Sequence, residues 1–567
     1  MHYLDRFNTW CEKADEATRA ELFAIRDDEA EIKERFFKEL SFGTAGLRGI
    51  IGAGTDRMNL YTVRRATQGL ASYILQKGGD AAQRGVAIAY DPRHFSKEFA
   101  FAAACVLAGN GIRSFVYHEL EPTPALSFAV RYLHTVAGIM ITASHNPAKY
   151  NGYKVYGEDG AQLNVADSAI VLSFIEKTDI FEGVRSMDEA EAKEKGLLTI
   201  IGDEVLTPYI EAVKSCRQAP GETDLSIVYT AFHGAGYKPV MRVLSECGFK
   251  NVYPVPEQAI PDPDFSTVDS PNPENPEGFT MALSLAKEKN ADIIIGTDPD
   301  SDRIGILCRT QNGYEILNGN QTGVILMDYI LSQKAKEGFS PDDYVISTVV
   351  STNMVKKMAK SYGITFYQVY TGFKFIAGII KNHEEQNLPG RYLFGFEESF
   401  GYLAGTYARD KDAVSAALVA CEAAAYYKKQ GKTLIDALQD LQKKHGYFAE
   451  ITDSVYMEGL DGMEKMKKLL KSVEENPFHE IGDAKILAFR NYNTNTRYDF
   501  ITGDTSPLNQ EPSNVLYFEL ENDGFFILRP SGTEPKIKIY YSLVGKDQKD
   551  AEAKLQNVKS AAKVLFE

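Results

Sequence analysis

The chain has 567 residues, too many for one hydrophobic core, so roughly three to five domains are expected. Its formal net charge of −16 argues against nucleic acid and anionic lipid as partners, because phosphate contacts need an excess of Lys and Arg. A small anionic ligand remains open, provided cations gather at one site.

An apolar share of 44% and a charged share of 25% are those of an ordinary globular protein. No apolar run approaches the roughly eighteen residues of a membrane span. The polar N-terminus MHYLDRFNTWCEKADEATRA lacks the apolar stretch of a secretory signal. Six scattered cysteines (Cys11, Cys105, Cys216, Cys247, Cys308, Cys421) show no zinc spacing and read as free thiols. The expectation is a cytoplasmic protein.

In chain order, Asp15 to Leu40 is rich in Ala, Glu, Leu and Lys and free of Gly and Pro, which predicts one helix. The Gly-rich segment Ser41 to Asn59 breaks it. Apolar runs then predict strands at Val86–Tyr90, Ser114–Tyr117, Ala137–Ile141, Ile227–Tyr229, Asp292–Ile295, Tyr344–Val350, Tyr392–Phe394 and Phe525–Leu528. Between them lie helical patterns at Lys97–Gly109, Tyr237–Cys247, Gly278–Lys289, Gln321–Gly338 and Lys411–Gly431. Alternation of this kind predicts α/β units with largely parallel sheets. The Pro-rich segment Ile260–Pro276 is too polar for core and reads as an ordered loop within a domain. Breaks are expected near Gly202–Thr207, Gly313–Gly319 and His445–Thr452, giving domains 1–204, 205–318, 319–448 and 449–567. The last of these lacks the βαβ rhythm and reads as a smaller α+β domain.

Strand after strand ends in a polar loop marked by Gly or Pro, where ligands bind in open α/β sheets. In GTDPDSDRIG, Asp298, Asp300 and Asp302 alternate, so in an extended loop their side chains converge. Three carboxylates suit a hard cation, Mg²⁺ or Ca²⁺. The EF-hand alternative fails, since its required Gly and Glu positions hold Arg303 and Arg309. In ITASHNPAKYNGYKVY, Ser144 and His145 are adjacent; neighbours in an extended loop point apart, which weakens a Ser–His relay. No GxSxG elbow, Walker A loop or complete GxGxxG occurs. In LRPSGTEP, Arg529, Ser531, Gly532 and Thr533 have the composition of a phosphate cradle. In FGFEESFGY, Glu397 and Ser399 are spaced to face one side of an extended loop and bind neighbouring sugar hydroxyls. His94, His134 and His233 read as structural.

These four loops, in their order along the chain, resemble the α-D-phosphohexomutase superfamily of phosphoglucomutases and phosphomannomutases. The likeness runs from GTAGLRG at Gly43 to SGTEP at Ser531. The long N-terminus and GFEESFGY are most similar to the bacterial phosphoglucomutase and phosphopentomutase branch. The resemblance implies three similar α/β domains and a smaller C-terminal α+β domain around a central cleft. It implies that Ser144 carries a phosphoryl group, with Mg²⁺ held by Ser144, Asp298, Asp300 and Asp302. Thr44, Arg48, Lys154, Arg303 and Lys411 would contact the reacting group or the substrate. Thr371, Glu397 and Ser399 would bind the sugar, and Arg529, Ser531, Gly532 and Thr533 the second phosphate. Arg48 and Lys154 are the candidates for general base.

The implied reaction interconverts glucose 1-phosphate and glucose 6-phosphate through a sugar 1,6-bisphosphate. The sequence EESFGY departs from the EESGH of many relatives, so phosphopentomutase and phosphomannomutase activity are rivals. A metal-dependent sugar phosphatase shares the same parts.

Overall fold

The computed structural model describes residues 2–43, 46–221, 223–457, 462–530 and 536–565. The chain divides into two compact units: residues 1–348 with 367–434, and residues 349–366 with 435–567.

The first unit opens with three short helices, Tyr3–Lys13, Glu16–Ala24 and Glu29–Phe36. One continuous helix from Asp15 to Leu40 is therefore incorrect. Asp28 accepts a hydrogen bond from the Glu31 amide at 3.0 Å and starts a new helix, so the chain turns between the two. The helices bury Phe7, Trp10, Leu22, Ile32 and Phe36 in a cluster of their own. Trp10 is 2% exposed and meets Phe36, Tyr61 and Phe181 edge-on.

Three mixed sheets follow. In the first, Val86–Tyr90 is central, with Ser114–Tyr117 and Ala137–Ile141 parallel on either side; Leu198–Ile201 extends the parallel set. In the second, Ser226–Thr230 lies parallel to both Asn251–Pro254 and Ile293–Thr297. In the third, Tyr344–Thr348 lies parallel to Tyr392–Glu397. Val86–Tyr90, Ala137–Ile141, Ile293–Thr297 and Tyr344–Thr348 are buried along their whole length. That is why they read as unbroken apolar runs rather than alternating ones.

The three sheets share a device. In each, a parallel strand turns back into an antiparallel partner: Ala137–Ile141 into Tyr150–Gly157, Ile293–Thr297 into Ile304–Thr310, and Tyr392–Glu397 into Gly401–Leu403. Each connection contains one non-glycine residue in the left-handed region: Ser144 at φ 53°, Ser301 at φ 50° and Phe400 at φ 65°. Such a residue costs on the order of 1 kcal/mol or more, so surrounding contacts must hold each turn.

The second unit is built on an antiparallel sheet running through Tyr447–Tyr456, Lys536–Gly545, Phe525–Pro530, Leu516–Leu520 and Ala484–Asn491. Helices Gly462–Glu475 and Gln548–Lys563 add Met466, Leu470, Val473, Leu555 and Val558 to its core. Asn353, before helix Met354–Tyr362, donates to the Tyr517 hydroxyl at 3.1 Å and ties that helix to the sheet.

Two positions test the packing of the first unit. A Cβ on Gly319 would lie 1.8 Å from the Glu398 carbonyl oxygen, inside the third turn. Gly319→Ala should therefore destabilise the fold by about 1–3 kcal/mol in denaturant titrations. Glu121 is buried, and burial, aided by Glu119, raises its carboxyl to about 8. Between the ordinary carboxyl range and pH 8 the unfolded chain has lost this proton while the folded one retains it. Stability should thus fall as pH rises across that window. Glu121→Gln should gain about 1–3 kcal/mol over the parent at pH 8 relative to the difference at pH 5, read by denaturation at both pH values.

Candidate active site

The first turn presents Ser144. Its amide donates to Thr142 Oγ1 at 2.8 Å, and that hydroxyl donates to Asp91 Oδ2 at 2.7 Å. Ser144 is 3% exposed, and its Oγ lies 3.0 Å from Asp298 Oδ2 and 3.3 Å from His145 Nδ1. The loop is not extended, so Ser144 and His145 do not point apart as expected; the left-handed turn brings both side chains to one place. Burial first, and then Arg303 and Arg48, hold the His145 imidazole well below its ordinary range, leaving it neutral.

The second turn presents three carboxylates. Asp298, Asp300 and Asp302 are buried, with one oxygen from each lying within 4.8 Å of the others. They converge on a tight turn rather than along an extended run. Asp298 Oδ1 accepts from the amides of Asp302 at 3.1 Å and Arg303 at 2.9 Å. Thr123 adds its amide to the Asp300 carbonyl at 2.8 Å and its hydroxyl to Asp300 Oδ2 at 2.9 Å.

Cations compensate the cluster from two sides. Lys154 Nζ lies 2.9 Å from Asp300 Oδ2 and 3.7 Å from Asp302 Oδ2. Lys411 Nζ lies 2.9 Å from Asp302 Oδ2 and 3.1 Å from Asp410 Oδ1. Burial would raise Asp300, but Lys154 outweighs it and holds that carboxylate well below the usual range. Asp298 has no such amine, and burial, reinforced by Asp300 and Asp302, drives it well upward. Burial works against the Lys411 ammonium, yet Asp302 and Asp410 keep it firmly charged.

On Asp300 and Asp302 the amines engage Oδ2. Oδ1 of Asp300 and Oδ1 of Asp302 are buried without a hydrogen-bond partner, with Arg303 Nε 3.7 Å from the latter. An anionic oxygen left so is costly unless something positive meets it. With Asp298 Oδ2 and Ser144 Oγ alongside, the donor set is all oxygen, and a hard divalent cation fits it.

The third turn presents Glu397, 4% exposed, which accepts from the Gly372 amide at 2.6 Å. Burial raises its carboxyl to about 7, against the pull of Lys411. Ser399 follows, half-buried, in the turn itself. Beside Gly372, Thr371 Oγ1 and Lys374 Nζ are buried without hydrogen-bond partners, the amine lying 5.5 Å from the centre of the Phe375 ring. Arg303 Nη1 lies 3.0 Å from Glu274, and Arg48 Nη1 donates to Asn146 Oδ1 at 3.1 Å.

Ser144, the three aspartates, Lys154 and Lys411 thus meet directly. Arg529 belongs to the second unit, where its Nη1 approaches the Tyr540 hydroxyl at 3.5 Å. Thr44, Ser531, Gly532 and Thr533 lie outside the described residues. Sequence reasoning missed Thr123, Asp410 and Lys374. Thr123 opens helix Thr123–Tyr132 in an unremarked EPTP segment far along the chain from Asp300 and carries no local signal, whereas Lys374 lies near Thr371 in TGFKF and could have been noted.

Residues 39–180, 207–313 and 318–445 match, in turn, domains I, II and III of the family described as phosphoglucomutase/phosphomannomutase, alpha/beta/alpha. The phosphoglucomutase of Staphylococcus epidermidis is 38% identical over 540 residues, covering 94% of this chain and 96% of that one. The phosphoglucomutase of Staphylococcus aureus is 37% identical, covering 96% and 97%. Among solved structures, the phosphoglucomutase parafusin of Paramecium aligns over 93% of this chain and 94% of its own, with TM-score 0.65 at 18% identity. A phosphoglucomutase/phosphomannomutase family protein of Burkholderia thailandensis aligns over 93% and 97%, also with TM-score 0.65 at 18% identity. The chain belongs to the phosphoglucomutase/phosphomannomutase family, within the α-D-phosphohexomutase superfamily and on its bacterial phosphoglucomutase branch.

Proposed function

We propose that the protein is a phosphoglucomutase, interconverting glucose 1-phosphate and glucose 6-phosphate through a phosphoserine at Ser144 and a glucose 1,6-bisphosphate intermediate. The observation that carries the reading is the 3.0 Å approach of Ser144 Oγ to Asp298 within the buried carboxylate cluster. A serine hydroxyl beside three carboxylates and two lysines is an arrangement for handling a phosphoryl group with a cation. The curated relatives at 37–38% identity over nearly the whole chain support glucose phosphates as substrate.

In this reading Asp298, Asp300 and Asp302, with Ser144, would hold Mg²⁺. The cation supplies charge neutralisation at the transferring phosphoryl group. Phosphoryl transfer depends on positioning and electrostatics more than on covalent work by the protein. A sugar hydroxyl oxygen attacks the phosphorus of phosphoserine, the bond from phosphorus to Ser144 Oγ breaks, and the hydroxyl proton leaves to a base. Arg48 and Lys154 are the candidates for that base, whichever serves having first to give up its own proton, and Thr44 would contact the reacting group. Arg303 and Lys411 add positive charge toward the substrate. Glu397 and Ser399 accept from sugar hydroxyls, with Thr371 alongside. Arg529, Ser531, Gly532 and Thr533 hold the phosphate that is not reacting. Domain limits of 1–204, 205–318, 319–448 and 449–567 go with this assignment of parts.

Ser144→Ala should lower kcat by about 10³-fold or more while leaving the thermal midpoint within a few degrees of the parent. Substantial turnover in that variant would overturn the phosphoserine route. Stripping divalent ions with a chelator should abolish turnover, and Mg²⁺ should restore it; a chelated enzyme at full rate would remove the metal from the scheme. Rates on glucose 1-phosphate and ribose 1-phosphate should favour the hexose. A pentose preference of about tenfold or more would make the protein a phosphopentomutase, and steady release of inorganic phosphate would make it a phosphatase.

A further inference from the structure

Among the groups that the proposed chemistry leaves unused, the buried Arg93 guanidinium makes the most contacts with the reacting loop. It follows strand Val86–Tyr90 in the segment AYDPRHFS, and its side chain and that of Asp91 are fully buried. Arginine carries five N–H donors in a rigid plane. Here each has its own acceptor. Nε donates to Asp91 Oδ2 at 3.1 Å, and Nη1 to the carbonyls of Pro147 and Tyr150, both at 3.0 Å. Nη2 donates to the Asn146 carbonyl at 2.6 Å and to the Ser144 carbonyl.

Three backbone carbonyls of one loop and that of Tyr150, which opens the following strand, are thus gathered on one cation, including that of the residue held at φ 53°. A left-handed serine needs such outside support, since its own backbone disfavours the conformation. Asp91 fixes the other end. Its oxygens also accept from Ser96 Oγ at 2.9 Å, Thr142 Oγ1 at 2.7 Å and the Arg93 amide at 3.2 Å. Thr142 Oγ1 in turn accepts the Ser144 amide. The serine is held from both sides of its peptide by one ion pair.

The Pro-rich loop, which also supplies Glu274 to Arg303, closes the arrangement. Phe265 lies with its ring 5.0 Å from the Arg93 guanidinium carbon and is 1% exposed, and Ser270 Oγ reaches the His145 carbonyl at 3.4 Å.

We infer that Arg93 is a positioning residue for the proposed transfer: it fixes the left-handed turn that aims Ser144 Oγ at the carboxylate cluster. With every donor spent on the loop and Asp91, it has none left for substrate, unlike Arg48 or Lys154. The inference rests on the phosphoserine reading. It predicts a defect in the reacting geometry rather than in binding. Lysine keeps the charge but offers a point with three donors in place of a plane with five.

The test uses Arg93→Lys in the full chain, with glucose 1,6-bisphosphate as phosphoryl donor. Expected is a loss of about 10²-fold in kcat, the scale of an ångström-sized misplacement, with KM within about threefold. Phosphate should appear on Ser144 more slowly by the same factor, followed by intact-protein mass spectrometry. Added guanidinium should restore part of the rate in Arg93→Ala. A folded Arg93→Lys with near-parental kcat, a loss confined to KM, or a variant that does not fold at all would each overturn the assignment, the last in favour of a purely structural role. A parent protein that takes up no phosphate at Ser144 would instead sink the functional reading itself, and the inference with it.

Discussion

The site depends on placing several carboxylates where water cannot reach them. Asp298, Asp300, Asp302 and Asp410 are each 1% exposed or less, and their mutual repulsion at such depth is tolerable only with positive charge at hand. Lys154 comes from the first sheet, Lys411 and Asp410 from the loop after the third, while Asp298, Asp300 and Asp302 follow a strand of the second. The chain's overall acidity makes this local balance more telling, because the amines are drawn in despite a general shortage of cations. Three regions far apart in sequence are thereby bound to one another by charge. Hydrogen bonds support the same junction: the Ile304 amide donates to the Phe400 carbonyl at 3.1 Å, and the Ala413 amide to the Ser301 carbonyl at 3.1 Å.

Because one strand-turn-strand device recurs in all three sheets, the site is assembled from equivalent pieces rather than from unrelated loops. Each turn needs tertiary contacts to stay left-handed: Arg93 and Thr142, from the first sheet's own loops, hold the first, while the second and third also meet through the Ile304–Phe400 hydrogen bond. The cluster is therefore both the chemical centre and a part of what orders the turns.

Much of this was legible from the amino acids. Strands such as Val86–Tyr90 and Ala137–Ile141 stood out because burial on both faces leaves no polar residue to interrupt the run. The aspartates were visible through their spacing, and the α+β character of the C-terminal part through the loss of alternation. The left-handed turns were not legible. Ser144 and Phe400 give no local hint of positive φ, since neither is Gly or Asn. For that reason the adjacency of Ser144 and His145 was misjudged. The Thr123–Asp300 and Arg93–Ser144 contacts were hidden for a different reason: nothing in either partner's neighbourhood encodes the other. The break after Ala24 was missed because Asp28 looks like one more charged residue in a helical stretch until its side chain is seen capping.

The lone indole of Trp10 has a consequence for anyone following this chain in solution. It is sealed among Phe36, Tyr61 and Phe181, so its emission has a single origin in the N-terminal helical cluster. Fluorescence excited at the red edge therefore watches only the unit that carries Ser144, while circular dichroism sums over helices of both units. Recording the two optical signals along one melting ramp separates a chain that lets go all at once from one that comes apart in stages.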